Sequence, residues 1–291
     1  MRADPSPLVE ADWLAANLDA VVVLDCSVAR IPGINGRTAF APGGAAFTRG
    51  HIPGARFADV MQAFSDPDAR YPFTCPTRAG FDSAAQALGL NADSRIVAYD
   101  NLGSAYAARL WCVFRAFGLT NIRVLNGGIG AWEAIGGAIE TGEAAPVPVG
   151  TLSAQQNSTL FVDTDFVAEM IGHGTIPGQP LLCGLRDVQF RGDDSTDPRR
   201  GHIPTSLNLP FPDLLDADGR LTPERVEAAL SKLGVGHDIA PVLYCGGGIN
   251  AAGLALALSL VGIDDVKIYD DSMNGWRNTL SLPVAHEASH V

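Results

Sequence analysis

The chain has 291 residues, 47% of them hydrophobic and 18% charged, a globular composition with room for one large domain or two ordinary ones. A net charge of −12 and a pI near 4.8 argue against nucleic acid or an anionic membrane as the main partner. Five scattered cysteines (Cys26, Cys75, Cys112, Cys183, Cys245) suggest neither a disulfide framework nor a C-x-x-C zinc pattern, and the longest apolar run, 251–261, is too short to span a bilayer.

In chain order, a short β-branched strand over 21–25 opens the first half. A Gly/Pro-rich stretch then leads to Gly50-His51-Ile52-Pro53-Gly54-Ala55. A strand over 95–100, a turn, a helix over 105–117 and Gly130-Ala131-Trp132 follow. Residues 136–150, rich in Gly, Glu, Ala and Pro, keep no amphipathic period and form the join. The second half repeats the order. It has a strand over 180–183, then Gly201-His202-Ile203-Pro204, then a helix with Thr222 as N-cap and Pro223 at N1 that runs to Lys232. A strand over 240–244 leads into Cys245-Gly246-Gly247-Gly248-Ile249-Asn250-Ala251, an apolar helix over 251–262, and Gly275-Trp276.

The repeats keep register. His51 returns as His202 after 151 positions, Asp100 faces Cys245 at 145, and Trp132 returns as Trp276 at 144. Three anchors in preserved order predict a tandem duplication. Apolar strands that alternate with helices predict α/β halves, each a mostly parallel sheet flanked by helices. The expected domains are 8–140, with Asp100 at the cysteine position and no catalysis, and 160–285, with catalysis, joined by a linker at 141–159.

Only the second half has a thiol at the strand–helix turn. The turn and the helix start present unpaired backbone N–H groups, which favour thiolate over thiol, so Cys245 reads as an accessible nucleophile. The other four cysteines read as small buried hydrophobes. Two rivals fail. A Cys-x5-Arg phosphatase loop needs an arginine where Ala251 stands, and the match of Gly246, Gly248 and Ala251 to a dinucleotide fingerprint falls at the last crossover of its repeat, not the first. His51 and His202 begin the same element in both halves and read as structural. His173, His237, His286 and His290 lack ligand spacing, so no metal or cofactor is expected. Asp193, Asp194 and Asp197 read as a solvated loop.

The His-Ile-Pro elements, the doubled architecture, the Gly-x-x-x-Trp segments and the Cys-Gly-Gly-Gly-Ile-Asn-Ala loop resemble the tandem-domain rhodaneses, the thiosulfate and 3-mercaptopyruvate sulfurtransferases. The resemblance implies that Cys245 takes a sulfane sulfur from a small anionic donor as a persulfide. It then passes the sulfur to cyanide or to a thiol, that of a redox protein included. Gly246, Gly247, Gly248, Ile249, Asn250 and Arg186 are the implied donor-binding residues. The chain departs from the family where Asp-x-Arg is usual: it has Cys183-Gly184-Leu185, with Arg186 one place late. The loop carries no charge, Asn250 replaces Thr or Ser, and Asp270-Asp271-Ser272 stands for Asp-Gly-Ser. The competing expectation is a catalytically weak rhodanese-like binding or persulfide-carrier protein, supported by Leu185 and Asn250. A reducing, cytoplasmic setting is expected in either case.

Overall fold

A computed structural model describes residues 6–33, 38–154, 159–174, 176–193 and 198–286. The strands are β1 (Leu8–Val9), β2 (Val22–Asp25), β3 (Val28–Pro32), β4 (Thr38–Pro42), β5 (Arg56–Phe57), β6 (Ile96–Tyr99) and β7 (Ile122–Leu125) in the first half. The second half holds β8 (Phe161–Val162), β9 (Leu181–Cys183), β10 (Leu207–Asn208), β11 (Val242–Tyr244) and β12 (Lys267–Tyr269). The chain falls into two units, the second starting at Thr159, with Ala217–Arg220 clustering with the first.

Each unit is built on a five-stranded, all-parallel sheet. The order is β1-β7-β6-β2-β5 in one and β8-β12-β11-β9-β10 in the other, so the two sheets match strand for strand. The central strands β6, β9 and β11 are buried at every position, as strands covered on both faces must be. Helices Ala105–Ala116 and Ile249–Leu260 follow β6 and β11 and are buried over most of their length, so their sequences carry little amphipathic signal. Thr222 caps helix Pro223–Lys232 in extended geometry, without a side-chain bond, and Pro223 sits at the first turn as expected.

The duplication extends to hydrogen bonds. Tyr99 and Tyr244 end the central strands, and their hydroxyls accept the N–H of Ile52 (3.1 Å) and Ile203 (3.0 Å). The rings of His51 and His202 stack on Phe47 and Phe190 at 3.8 and 3.7 Å, with Nδ1 on the Phe47 and Phe190 carbonyls. Trp132 and Trp276 donate their indole N–H to Ala138 and Pro283. These histidines and tryptophans are buried anchors, as their recurrence in both halves suggests.

Two features differ from the sequence reading. The Gly/Pro-rich stretch after β2 contains an antiparallel hairpin, β3–β4, a pairing that short period-2 runs broken by Pro do not announce. Part of the aperiodic join is laid along the first unit. Gly150 N–H and Leu152 N–H donate to Gln86 and Leu90, and Ala154 N–H donates to the Asp82 carboxylate, with Leu152 and Ala154 buried. No helix among the described residues is long and apolar enough to cross a membrane.

Candidate active site

Cys245 stands one residue beyond β11, at the carboxyl end of the second sheet. Three glycines follow. Gly248 takes φ +85° as the helix N-cap, a left-handed conformation that a side chain would strain. The helix starts at Ile249, two residues earlier than composition suggested, because Ile and Asn are weak helix formers and masked its first turn. Ile249 and Asn250 therefore belong to the helix start.

None of the hydrogen bonds among the described residues uses the N–H of Gly246, Gly247, Gly248, Ile249, Asn250 or Ala251. Six successive backbone donors around one cysteine await an acceptor. The corresponding loop of the first unit shows what such donors take. Asp100 occupies the position of Cys245, and its Oδ1 accepts the N–H of Leu102 (2.7 Å) and Ser104 (3.0 Å). Its Oδ2 accepts those of Tyr106 (2.8 Å) and Ala107 (2.9 Å). Burial raises this carboxyl above its ordinary value, against the pull of the four bonds.

The two loops are not of equal length. The left-handed N-cap is Ser104 in the first unit, four residues after Asp100, and Gly248 in the second, three after Cys245. The offset between halves drops from 145 to 144 inside this loop, so the counterpart of Gly248 is Ser104 and not Gly103, which the constant 145 spacing from Asp100 and Cys245 would pair with it. By helix position, Ser104, Tyr106 and Ala107 correspond to Gly248, Asn250 and Ala251. Three amides spent on a carboxylate in one unit are thus left open in the other.

The chain beyond β12 closes the loop from one side. Cys245 N–H donates to Ser272 Oγ (3.1 Å), and that hydroxyl donates to the Tyr269 carbonyl (2.9 Å). Met273 and Asn274 N–H donate to the carbonyls of Cys245 and Gly246, both at 3.0 Å. Ser272 is fully buried at φ +50°, where the first unit has Gly128 at φ +58°. A serine held there costs about 1–2 kcal/mol of backbone strain, offset by the hydroxyl that fixes Cys245. Sequence reading passed over this serine, although its pairing with a glycine at offset 144 was available as a signal.

On the other side, Asn250 Nδ2 donates to the Gly184 carbonyl (3.2 Å), so that nitrogen braces the loop against β9 while the backbone N–H stays open. Leu185 is buried, its Cδ2 3.8 Å from where a Gly246 side chain would begin. Arg186 is exposed as the N-cap of helix Asp187–Phe190, its carbonyl taken by Gln189 and Phe190 N–H. An apolar wall stands beside Gly246, and the cation lies one residue further along. Two other second-half arginines serve structure. Arg199 donates to the carbonyls of Arg277, Thr279 and Leu282, and Arg191 pairs with Asp187 and Asp193. Asp194, Asp197 and His290 lie outside the described residues.

The accessible thiol expected at Cys245 is not found: the residue is only 3% exposed. Cys75 is the more exposed thiol, while Cys26, Cys112 and Cys183 are fully buried. Burial lifts Cys183 to about 12 and Cys26 far above the ordinary thiol value, which makes both poor nucleophiles at neutral pH. Among the described residues no group of three or more His, Cys, Asp or Glu could hold a metal ion.

Comparison with known proteins gives one answer. The rhodanese-like domain matches twice, at residues 10–135 and 154–279. The 3-mercaptopyruvate sulfurtransferase of Escherichia coli K12 is 31% identical over 281 residues, covering 95% of this chain and 96% of that protein. The bovine thiosulfate sulfurtransferase is 32% identical over 233 residues, covering 78% of this chain and 77% of its own. Among solved structures, that of SseA, a 3-mercaptopyruvate sulfotransferase from Escherichia coli, superposes with a TM-score of 0.78 at 30% identity, covering 92% of this chain and 98% of SseA.

Proposed function

The chain belongs to the rhodanese family as a tandem-domain sulfurtransferase of the thiosulfate/3-mercaptopyruvate type, and from that premise we propose that its sulfur travels on Cys245. The Cys245 thiolate attacks the outer sulfur of thiosulfate or the thiol sulfur of 3-mercaptopyruvate. A new S–S bond forms, and sulfite, or the enolate of pyruvate that solvent then protonates, departs with the bonding pair. Cyanide or a thiolate next attacks the outer sulfur of the persulfide and returns Cys245 as thiolate. The alternation is ping-pong.

The supporting observation is the row of six backbone N–H groups without a protein acceptor. It is the same device that holds a carboxylate in the first unit, here built around a sulfur atom. His202 is fully buried and tied to a carbonyl, so it is not placed to act as a base, and activation of the thiol falls to the backbone amides in this reading. Residues 246–250 form the cradle in this reading. Arg186 contributes at most to steering the anionic donor, being exposed beside the buried Leu185. A thiol acceptor fits a reducing, cytoplasmic setting.

The test is to incubate the protein with thiosulfate or 3-mercaptopyruvate and weigh it intact. A gain of about 32 Da on the Cys245 peptide, lost on adding cyanide, is expected. No gain with either donor favours the rival reading, a rhodanese-like binding or carrier protein, to which the missing cation beside Gly246 lends its support.

A further inference from the structure

Asn274 has no part in the scheme above, yet it touches the loop at its centre. Its backbone N–H donates to the Gly246 carbonyl, and its own carbonyl accepts Asn278 Nδ2 (2.7 Å), so the residue is fixed at both ends of its peptide unit. The carboxamide lies against Gly247: a side chain at that glycine would begin 2.9 Å from Asn274 Nδ2. A side chain at Gly247 would therefore displace the Asn274 carboxamide. The carboxamide is half-buried, and among the described residues it has no hydrogen-bond partner. A polar group so placed, beside six open amides, is poised for a ligand.

The first unit supplies a control. At offset 144 its counterpart is Gly130, around whose side-chain position there is open space. The unit whose loop is filled by its own carboxylate carries nothing there, although a side chain would fit. The unit with the thiol places a carboxamide over its loop. The loop itself has no charged side chain, and the wall at Gly246 is Leu185, so few side chains remain to recognise the oxygens of a donor.

Resting on the sulfurtransferase reading, we infer that Asn274 is a donor-binding residue whose Nδ2–H donates to an oxygen of the donor's leaving group, the sulfonate of thiosulfate or the carbonyl or carboxylate of 3-mercaptopyruvate. The backbone amides hold the sulfur anion, and Asn274 orients the portion that leaves. The inference confines its action to the first half of the ping-pong cycle, because the leaving group is gone before the acceptor arrives.

The experiment resolves the two half-reactions by quenched-flow and intact mass, using sodium thiosulfate and 3-mercaptopyruvate as donors and cyanide as acceptor. In Asn274→Ala, kcat/KM for sulfur uptake should fall roughly tenfold, the usual loss for one hydrogen bond to a charged group. The rate of cyanide attack on preformed persulfide should be unchanged. Asn274→Asp, of the same shape, should cost more at neutral pH by repelling the anionic donor, and should regain uptake as the pH falls through the carboxylate range. Asn274→Ala and Asn274→Asp with unchanged uptake overturn the inference. So does an equal fall in both half-reactions accompanied by a lower Tm, which marks a residue that merely props the loop. Wild-type protein that takes sulfur from neither donor overturns the functional reading itself, and this inference with it.

Discussion

The loops after β6 and β11 leave the corresponding central strands of two matching sheets, each just past a tyrosine that binds a His-Ile-Pro element, and each enters a buried helix. In the first unit four of the loop's amides are occupied. Asp100 fills the amide ring with its carboxylate, and Asn101 accepts from the N–H and donates to the carbonyl of Val28, tying the loop to the β3–β4 hairpin. In the second unit Cys245 replaces Asp100 and Gly246 replaces Asn101, one residue is missing, and among the described residues the amides meet no protein acceptor. A ring of N–H groups needs an anion. One copy carries a tethered carboxyl group, and in the proposed scheme the other leaves the position to a sulfur anion. The unit without a thiol at this turn has the more hydrogen-bonded loop.

That contrast can be broken first at its active end. Cys245→Ser should abolish sulfur uptake from both donors, measured by intact mass and by thiocyanate release, and a variant with wild-type turnover would remove the thiol from the scheme. The next effect is on stability. Asp100→Ala leaves the amides of Leu102, Ser104, Tyr106 and Ala107 buried without an acceptor and should cost about 3 kcal/mol or more by chemical denaturation. Formate at high concentration should restore part of this in the variant and none in the wild type. Cys245→Asp copies the first unit's solution into the second. It should be inactive yet unfold at no lower a denaturant concentration than the parent, and a marked loss would mean that the shorter loop cannot close on a carboxylate.

A smaller effect concerns pH. Burial lowers the pKa of His202, so folding favours its neutral form and the unfolded chain takes up the proton first. Its contribution is therefore complete above about pH 6.5 and is lost as the pH drops below that value, by at most about 1.4 kcal/mol per pH unit. His202→Asn, which retains a donor for the Phe190 carbonyl, should flatten that slope in urea titrations between pH 7 and 5. The smallest effect is at Cys183, held at about 12 by burial: after donor treatment at pH 8 its peptide should carry no added sulfur.

Much of this was legible before any coordinates. Residues buried twice over, such as His51 and His202 or Trp132 and Trp276, recur because the same packing problem was solved twice, so the repeat could be seen in sequence. The strand, glycine turn and apolar helix placed Cys245 because strand-end chemistry is local. What escaped depends on neighbours far along the chain. Whether Cys245 is exposed is decided by the fold around it, and the roles of Ser272 and Asn274 arise from the chain beyond β12 folding back on the loop. The missing residue between Cys245 and Gly248 showed only as a drift in spacing from 145 to 144, which alone does not say where it falls.

The extended segment at 150–154 bears on how the halves can be separated. A fragment cut near residue 140, where the repeat itself runs out, would strip Leu152 and Ala154 from the first unit and leave Gln86, Leu90 and Asp82 without the backbone they hold. Such a fragment should be prone to aggregation. Extending it through residue 154 returns the missing edge, so the folded unit is longer than the repeat visible in the sequence.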